Sequence, residues 1–226
     1  MIRIDDLVFG YGSEGFRLEV PHLEIHAGER VAIVGRSGSG KSTLLQLISG
    51  VILPQRGSIQ VDGQLVSRFS DAQRRAFRIS TIGFVFQEFE LVDYLTTRDN
   101  IRLPYLISRA LRWNQQSELQ LQVLAEACGL TGLMNRYPGQ LSQGERQRVA
   151  VCRSLIAGPK LILADEPTGS LDAKTGNEVL ELLLQQCTRV QATLLMVTHD
   201  LGFASRLDRT LNLAEFVQAP VPTGGH

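Results

Sequence analysis

Apolar and polar residues alternate from Ile2 to Phe9 and again from Phe16 to Ile25, the two-residue period of half-buried antiparallel strands, and the turn-rich Gly10 to Gly15 joins them. Arg30 to Val34 breaks that rhythm. It is a short, continuous apolar run rich in β-branched residues, which predicts a strand buried on both faces. Ser42 to Ser49 then sets Leu44, Leu45, Leu47 and Ile48 at helical spacing and stops at Gly50. Pro54, Gly57 and Gly63 punctuate another strand around Ser58 to Val61, and Ser70-Asp71 opens a polar helix whose Arg74, Arg75 and Arg78 predict a solvated face. Ile82 to Phe86 reads as a buried strand ending at Gln87.

From there to about Gly158 helix formers dominate. Gln116 to Ala127 and Ser142 to Ala157 are predicted helices, closed by Gly129 and by Gly158-Pro159. The strand pattern resumes at Leu161 to Ala164 and at Thr193 to Val197, on either side of a helix around Lys174 to Gln186, as in βαβ units with a parallel sheet. Thr210 to Val217 predicts one last β-like run, and Pro220 to His226 a disordered end. The expectation is an α/β fold in one domain, 1–226. It has a mainly parallel core sheet, an N-terminal antiparallel β subdomain, a helical insertion at about 88–158 and a flexible tail at 219–226.

Composition narrows this picture. The 226 residues carry 23 Lys+Arg against 23 Asp+Glu, so net charge offers no general attraction to nucleic acid or anionic lipid. Lysine is scarce, with Lys41, Lys160 and Lys174 the only three. Cys128, Cys152 and Cys187 sit in apolar, helix-like contexts and predict buried thiols in a reducing compartment. Met1 to Asp6 carries two acids where a signal peptide needs a basic start, and no stretch has the apolar length of a membrane helix. The expectation is a soluble, cytoplasmic protein whose membrane role, if it has one, is borrowed from a partner. Trp113 is expected to pack in the core or the helical part.

The chemistry is concentrated in a glycine-rich loop. Gly35-Arg36-Ser37-Gly38-Ser39-Gly40-Lys41-Ser42-Thr43 fits the phosphate-loop pattern and stands between a predicted strand and a predicted helix, the context the pattern requires. Glycines let the backbone N–H groups converge on phosphate oxygens, and the positive end of the following helix adds to that field. Lys41 would reach the β- and γ-phosphates, and the Ser42 hydroxyl would ligate Mg2+. Asp165 and Glu166 close the apolar run Leu161 to Ala164, at the carboxyl end of a buried strand where open α/β sheets place ligands. One carboxylate suits Mg2+; the other suits an attacking water.

With these residues the sequence resembles the ATP-binding-cassette ATPases over about residues 1–213. Tyr11 matches the family's adenine-stacking aromatic, Gly35 to Thr43 its Walker A loop, Gln87 its Q-loop glutamine and Leu141-Ser142-Gln143-Gly144-Glu145 its signature. Leu161 to Glu166 matches Walker B, Ser170-Leu171-Asp172 the D-loop and His199 the switch histidine. The resemblance implies a dimer of two copies with ATP sandwiched head to tail, each nucleotide held by the Walker motifs of one copy and by Ser142 and Gly144 of the other. It also implies that Ser42, Gln87 and Asp165 attend Mg2+, that Glu166 polarises water and that His199 contacts the γ-phosphate. Ser142 is independently a good N-cap for the helix to Ala157, which makes an anion site there. The signature departs from the commonest LSGGQ form at Gln143 and Glu145, and the second places a negative charge near that site.

Ala164 to Asp172, Gly83 to Gln87 and Leu103-Pro104 look most like the lipoprotein-release and macrolide-export group, which includes the cell-division cassette. Such a protein would sit on the inner face of the cell membrane, held by a separate integral-membrane permease, with Glu90, Leu91, Asp93 and Tyr94 as candidate contacts. Two alternatives stand beside this one. The first is a soluble cassette ATPase acting on a non-transport partner, although Lys41 to Leu141 is too short to hold a long coiled coil and the chain has a single cassette. The second is a nucleotide-binding module without turnover. No nucleic-acid partner is expected.

Overall fold

The computed structural model describes residues 1–12 and 16–215. In chain order its elements are β1 (Ile2–Gly10), β2 (Arg17–Ile25), β3 (Arg30–Val34), α1 (Lys41–Ile48), β4 (Arg56–Val61), β5 (Gln64–Leu65), α2 (Asp71–Thr81) and β6 (Ile82–Val85). There follow α3 (Thr97–Ile101), α4 (Leu103–Ile107), α5 (Gln115–Ala127), α6 (Gln143–Leu155), β7 (Leu161–Asp165), α7 (Ala173–Val190), β8 (Thr193–Thr198), α8 (Leu201–Ala204) and β9 (Arg209–Asn212). The chain divides into two compact units, Met1–Arg74 with Val197–His226, and Arg75–Met196.

The first unit holds the antiparallel sheet β2-β1-β4-β5. Its register pairs Ile2 with Ile25, Ile4 with Leu23 and Leu7 with Val20, so the alternation read in the sequence becomes one buried face. β4 lies on the other side of β1, with a register shift between Asp5 and Val8 where Asp6 turns left-handed, φ 49°. The same unit pairs β3 with β9 in parallel, Val31 opposite Arg209 through Val34 opposite Asn212. Arg30 and Asp208 lock the start of that pair: the Asp208 carboxylate accepts from the Arg30 backbone N–H at 2.9 Å and from Nη2 at 2.6 Å.

One expectation changes here. The last β-like run stops at Asn212, where β9 ends, and Leu213–Glu215 forms a 3-10 turn; the remainder of that run, 216–217, lies outside the described residues. Asn212 Oδ1 accepts the Ala214 N–H at 3.1 Å, an Asx turn that competes with the sheet ladder, while Leu213 is fully buried. The expected tail at 219–226 lies outside the described residues.

In the second unit β6 and β7 pair in parallel, Ile82 opposite Leu161 through Val85 opposite Ala164, and β8 flanks β7. Apart from Asp165, β7 is buried throughout, and β8 is buried at all six positions, as their unbroken apolar runs predict. Helices α3 to α6 all fall between β6 and β7, and α6 packs against α3, α5, α7 and β6. The short α3 and α4 are organised by Asn100, fully buried, whose Nδ2 donates to the Val92, Leu95 and Thr96 carbonyls at 3.0, 3.0 and 3.1 Å. Trp113 packs edge to face on Tyr105, ring centroids 5.0 Å apart, with the Arg102 guanidinium over its face. Cys128, Cys152 and Cys187 are all buried, as their apolar contexts predict.

Candidate functional site

In the first unit the glycine-rich loop runs from the end of β3 into α1. Gly40 is the N-cap of α1 at φ 99°, left-handed, and no side chain caps the helix. The first-turn amides of α1 have no intrahelical acceptors, so they and the helix dipole face the loop. A Cβ on Gly40 would run into the Phe16 ring, and one on Gly35 would meet Ser39 Oγ at 2.8 Å, so a side chain at either position would have to push its neighbour aside. The Lys41 ammonium folds back over the loop and donates to the Gly35 and Arg36 carbonyls at 2.9 and 3.2 Å. Tyr11 is half exposed. Its hydroxyl lies 3.5 Å from Thr43 Oγ1 and its ring meets Phe9 edge to face and Phe16 at 6.0 Å. His199 is exposed just after the buried Thr198, and Asp200 caps α8 through the Gly202 and Phe203 amides.

Phe16 was not singled out by sequence, because in a half-buried strand pattern it reads as one more apolar position. Its contact with Gly40 puts an aromatic edge against the phosphate loop itself.

In the second unit Asp165 ends β7 and Glu166 follows in a left-handed conformation, φ 45°, uncommon for a residue with a Cβ. The turn beyond it is closed by the Gly169 N–H donating to the Glu166 carbonyl at 2.9 Å. Gln87 is exposed. Its carbonyl accepts from Ser170 Oγ at 3.0 Å, and a Cβ on Gly169 would stand 3.2 Å from its Nε2. Asp172 caps α7 by accepting the Lys174 and Thr175 amides, each at 3.1 Å; Thr175 holds the Asp172 carboxyl below the usual carboxylate range.

The signature occupies the N-terminus of α6 as its pattern predicts. Ser142 is the N-cap, and its Oγ accepts the Glu145 N–H at 3.3 Å. Glu145 completes a capping box by accepting the Ser142 N–H at 2.7 Å, and that bond holds its carboxyl below the ordinary range. Gly144 is buried where α6 approaches α7: a Cβ there would meet Thr175 Cγ2 at 2.6 Å.

The family model described as ABC transporter matches residues 18–169. A lipoprotein-releasing system ATP-binding protein, LolD of Geobacter metallireducens, is 41% identical over 218 residues, covering 95% of this chain and 96% of its own. The ABC transporter ATP-binding protein YtrE of Bacillus subtilis is 42% identical over 205 residues and 88% of each chain. Among solved structures, the dimeric post-hydrolysis state of the ATP-binding cassette MJ0796, bound to ADP and Pi, superposes with a TM-score of 0.82 at 34% identity over 94% of each chain.

Proposed function

The chain belongs to the ABC transporter family, as its ATP-binding and hydrolysing subunit, and from that premise we propose how its residues divide the work. The observation that carries the reading is the start of α1: an uncapped helix N-terminus entered through left-handed Gly40, with Lys41 folded over the loop. Such a terminus has a cluster of amide donors and a dipole suited to a polyphosphate. We assign Gly35, Arg36, Ser37, Gly38, Ser39, Gly40 and Thr43 to the phosphate cradle, and Tyr11 to stacking on adenine. Lys41 exchanges its loop carbonyls for the β- and γ-phosphate oxygens when ATP enters.

Ser42, Gln87 and Asp165 offer hydroxyl, amide and carboxylate oxygens, the hard donors Mg2+ takes, so this donor set fits the ion; bound with ATP, it would neutralise phosphate charge. Glu166 orients and polarises the attacking water, and its strained backbone fits a group whose direction matters. His199 contacts the γ-phosphate. Residues 88–158 act as an inserted helical subdomain.

A second copy supplies Ser142 and Gly144 to the γ-phosphate, so that ATP joins two protomers and its hydrolysis releases them. The dimeric cassette that this fold superposes on supports that assembly. The names of the similar proteins support an integral-membrane permease as the further partner, with lipoprotein release as one precedent. No helix among the described residues is long and apolar enough to cross a membrane, so attachment to its inner face would come through that permease. Glu90, Leu91, Asp93 and Tyr94, the last 82% exposed, are the proposed contacts. Purification of the tagged chain from detergent-solubilised membranes tests the partner: an integral-membrane protein should accompany it, and the Tyr94→Asp variant should lose that protein while still releasing phosphate from ATP. Recovery of the chain alone would sink the permease assignment.

A further inference from the structure

Helix α6 reaches into two loops with two buried polar side chains. Gln147 is fully buried, and its Nε2 donates to the Phe86 carbonyl at 3.4 Å and to the Pro167 carbonyl. Phe86 immediately precedes Gln87, and Pro167 immediately follows Glu166. Further along the same helix Arg153, also buried, donates from Nη2 to the Phe89 carbonyl at 2.6 Å and from Nη1 to the Glu90 carbonyl. Phe89 and Glu90 are consecutive left-handed residues, φ 64° and 49°, and Glu166 is a third at 45°. Strain of this kind persists only where surrounding contacts over-determine the backbone.

Packing alone does not account for these two side chains. Gln147 Oε1 is buried with no hydrogen-bond partner, a cost that an apolar side chain of the same size would avoid. The Arg153 guanidinium is also held at a cost, since burial pushes its pKa down to about 10 with Glu90 opposing the shift. The helix that carries them is pressed hard onto β6: a Cβ on Gly83 would run into the Ser154 carbonyl oxygen. Ser170 Oγ, from the turn beyond Glu166, closes the circuit by donating to the Gln87 carbonyl at 3.0 Å. Three segments far apart in sequence, 86–90, 142–155 and 166–170, are thus tied by side chain to backbone bonds.

We propose that Gln147 and Arg153 are positioning residues that make the signature helix, the Gln87 backbone and the Glu166 turn move as one. Contact of Ser142 with nucleotide is then felt at Gln87 and Glu166 together. This rests on the roles given above to Ser142, Gln87 and Glu166, while the bonds themselves do not. Both residues are buried, so each acts on turnover through the segments it holds.

Hydrogen exchange of the full-length protein, read peptide by peptide without nucleotide, tests the ties independently of any activity. Gln147→Met should speed exchange at both 86–90 and 166–170, and Arg153→Lys at 86–90 alone, with the remaining peptides unchanged. In ATP hydrolysis Gln147→Met should lower kcat by about tenfold or more and leave KM for ATP within about threefold, the pattern of a lost transition-state arrangement rather than lost binding. Arg153→Lys, which keeps the charge on a single donor nitrogen, should retain more kcat than Arg153→Met. Unchanged exchange at both segments would overturn the proposal, as would exchange that rises across the whole chain or kcat that falls only with the folded fraction. If the wild-type protein itself turned over no ATP, the function would fail and the exchange pattern alone would decide this inference. Should Gln147→Met not fold, Arg153→Lys carries the same exchange test at 86–90.

Discussion

Ser142 and Glu145 cap each other: the serine hydroxyl accepts the glutamate N–H at 3.3 Å while the glutamate carboxylate accepts the serine N–H at 2.7 Å. The charge that looked out of place in the LSQGE signature therefore has a structural role at the first turn of α6. It also means that an anion already sits at the helix end proposed to meet a γ-phosphate. The two effects oppose each other, and Glu145→Gln separates them, because glutamine can keep the capping box without the charge. The variant should melt slightly lower, by the roughly 0.3–1 kcal/mol of a charge at a helix N-terminus, yet form the ATP-dependent dimer about two- to fivefold more tightly. Melting curves and dimer affinity, measured on one preparation, should move in opposite directions.

Lys41 anchors the second prediction. Its ammonium bridges the Gly35 and Arg36 carbonyls, so Lys41→Ala removes both the loop's own brace and the cation for the phosphates. ATP affinity by calorimetry should fall at least tenfold, about 1.4 kcal/mol, with the circular dichroism spectrum retained. Unaltered affinity would separate the loop from nucleotide binding.

The pair Arg30 and Asp208 predicts a pH dependence. The Arg30 side chain, helped by its backbone N–H, holds the Asp208 carboxyl below its ordinary range. A carboxyl with a lowered folded-state pKa contributes stability that is present above its unfolded pKa and lost as pH falls through the folded value. Both side chains are partly exposed, 33% and 42%, so solvent screens the pair and its contribution is at most about 1 kcal/mol. Asp208→Asn should thus melt a little below wild type at pH 7, and the gap should close as the pH falls into the acid range below about 4. A gap that stayed constant down to that range would assign the effect to shape instead of charge.

Much of this arrangement is written locally in the chain. The alternation from Ile2 to Phe9, the buried runs of β7 and β8, and the glycine pattern before α1 each depend on neighbours in sequence, and each appears where the pattern puts it. Ser142 reads as an N-cap because a cap needs only the turn that follows. What escapes is whatever depends on remote partners. The five-residue α3 and α4 are too short to announce themselves, and they are held by Asn100 and by the Arg136 and Met134 carbonyls, which accept the Thr97 and Arg98 amides. Gln147 and Arg153 look like solvated polar positions on an amphipathic helix until Phe86, Phe89, Glu90 and Pro167 are seen to need donors. Phe16 is legible as apolar, but its seat on Gly40 is not.

On this mechanism ATP joins two copies of the chain, and Glu166 is needed to part them. The direct measurement is the mass of the Glu166→Gln variant by size-exclusion chromatography with light scattering, with and without ATP and Mg2+. The variant should run as a protomer without nucleotide and as a stable particle of twice the 25.0 kDa chain mass with ATP, and it should release no phosphate. A variant that binds ATP yet stays at the protomer mass would contradict the sandwich, and one that hydrolyses ATP at the wild-type rate would contradict the role of Glu166.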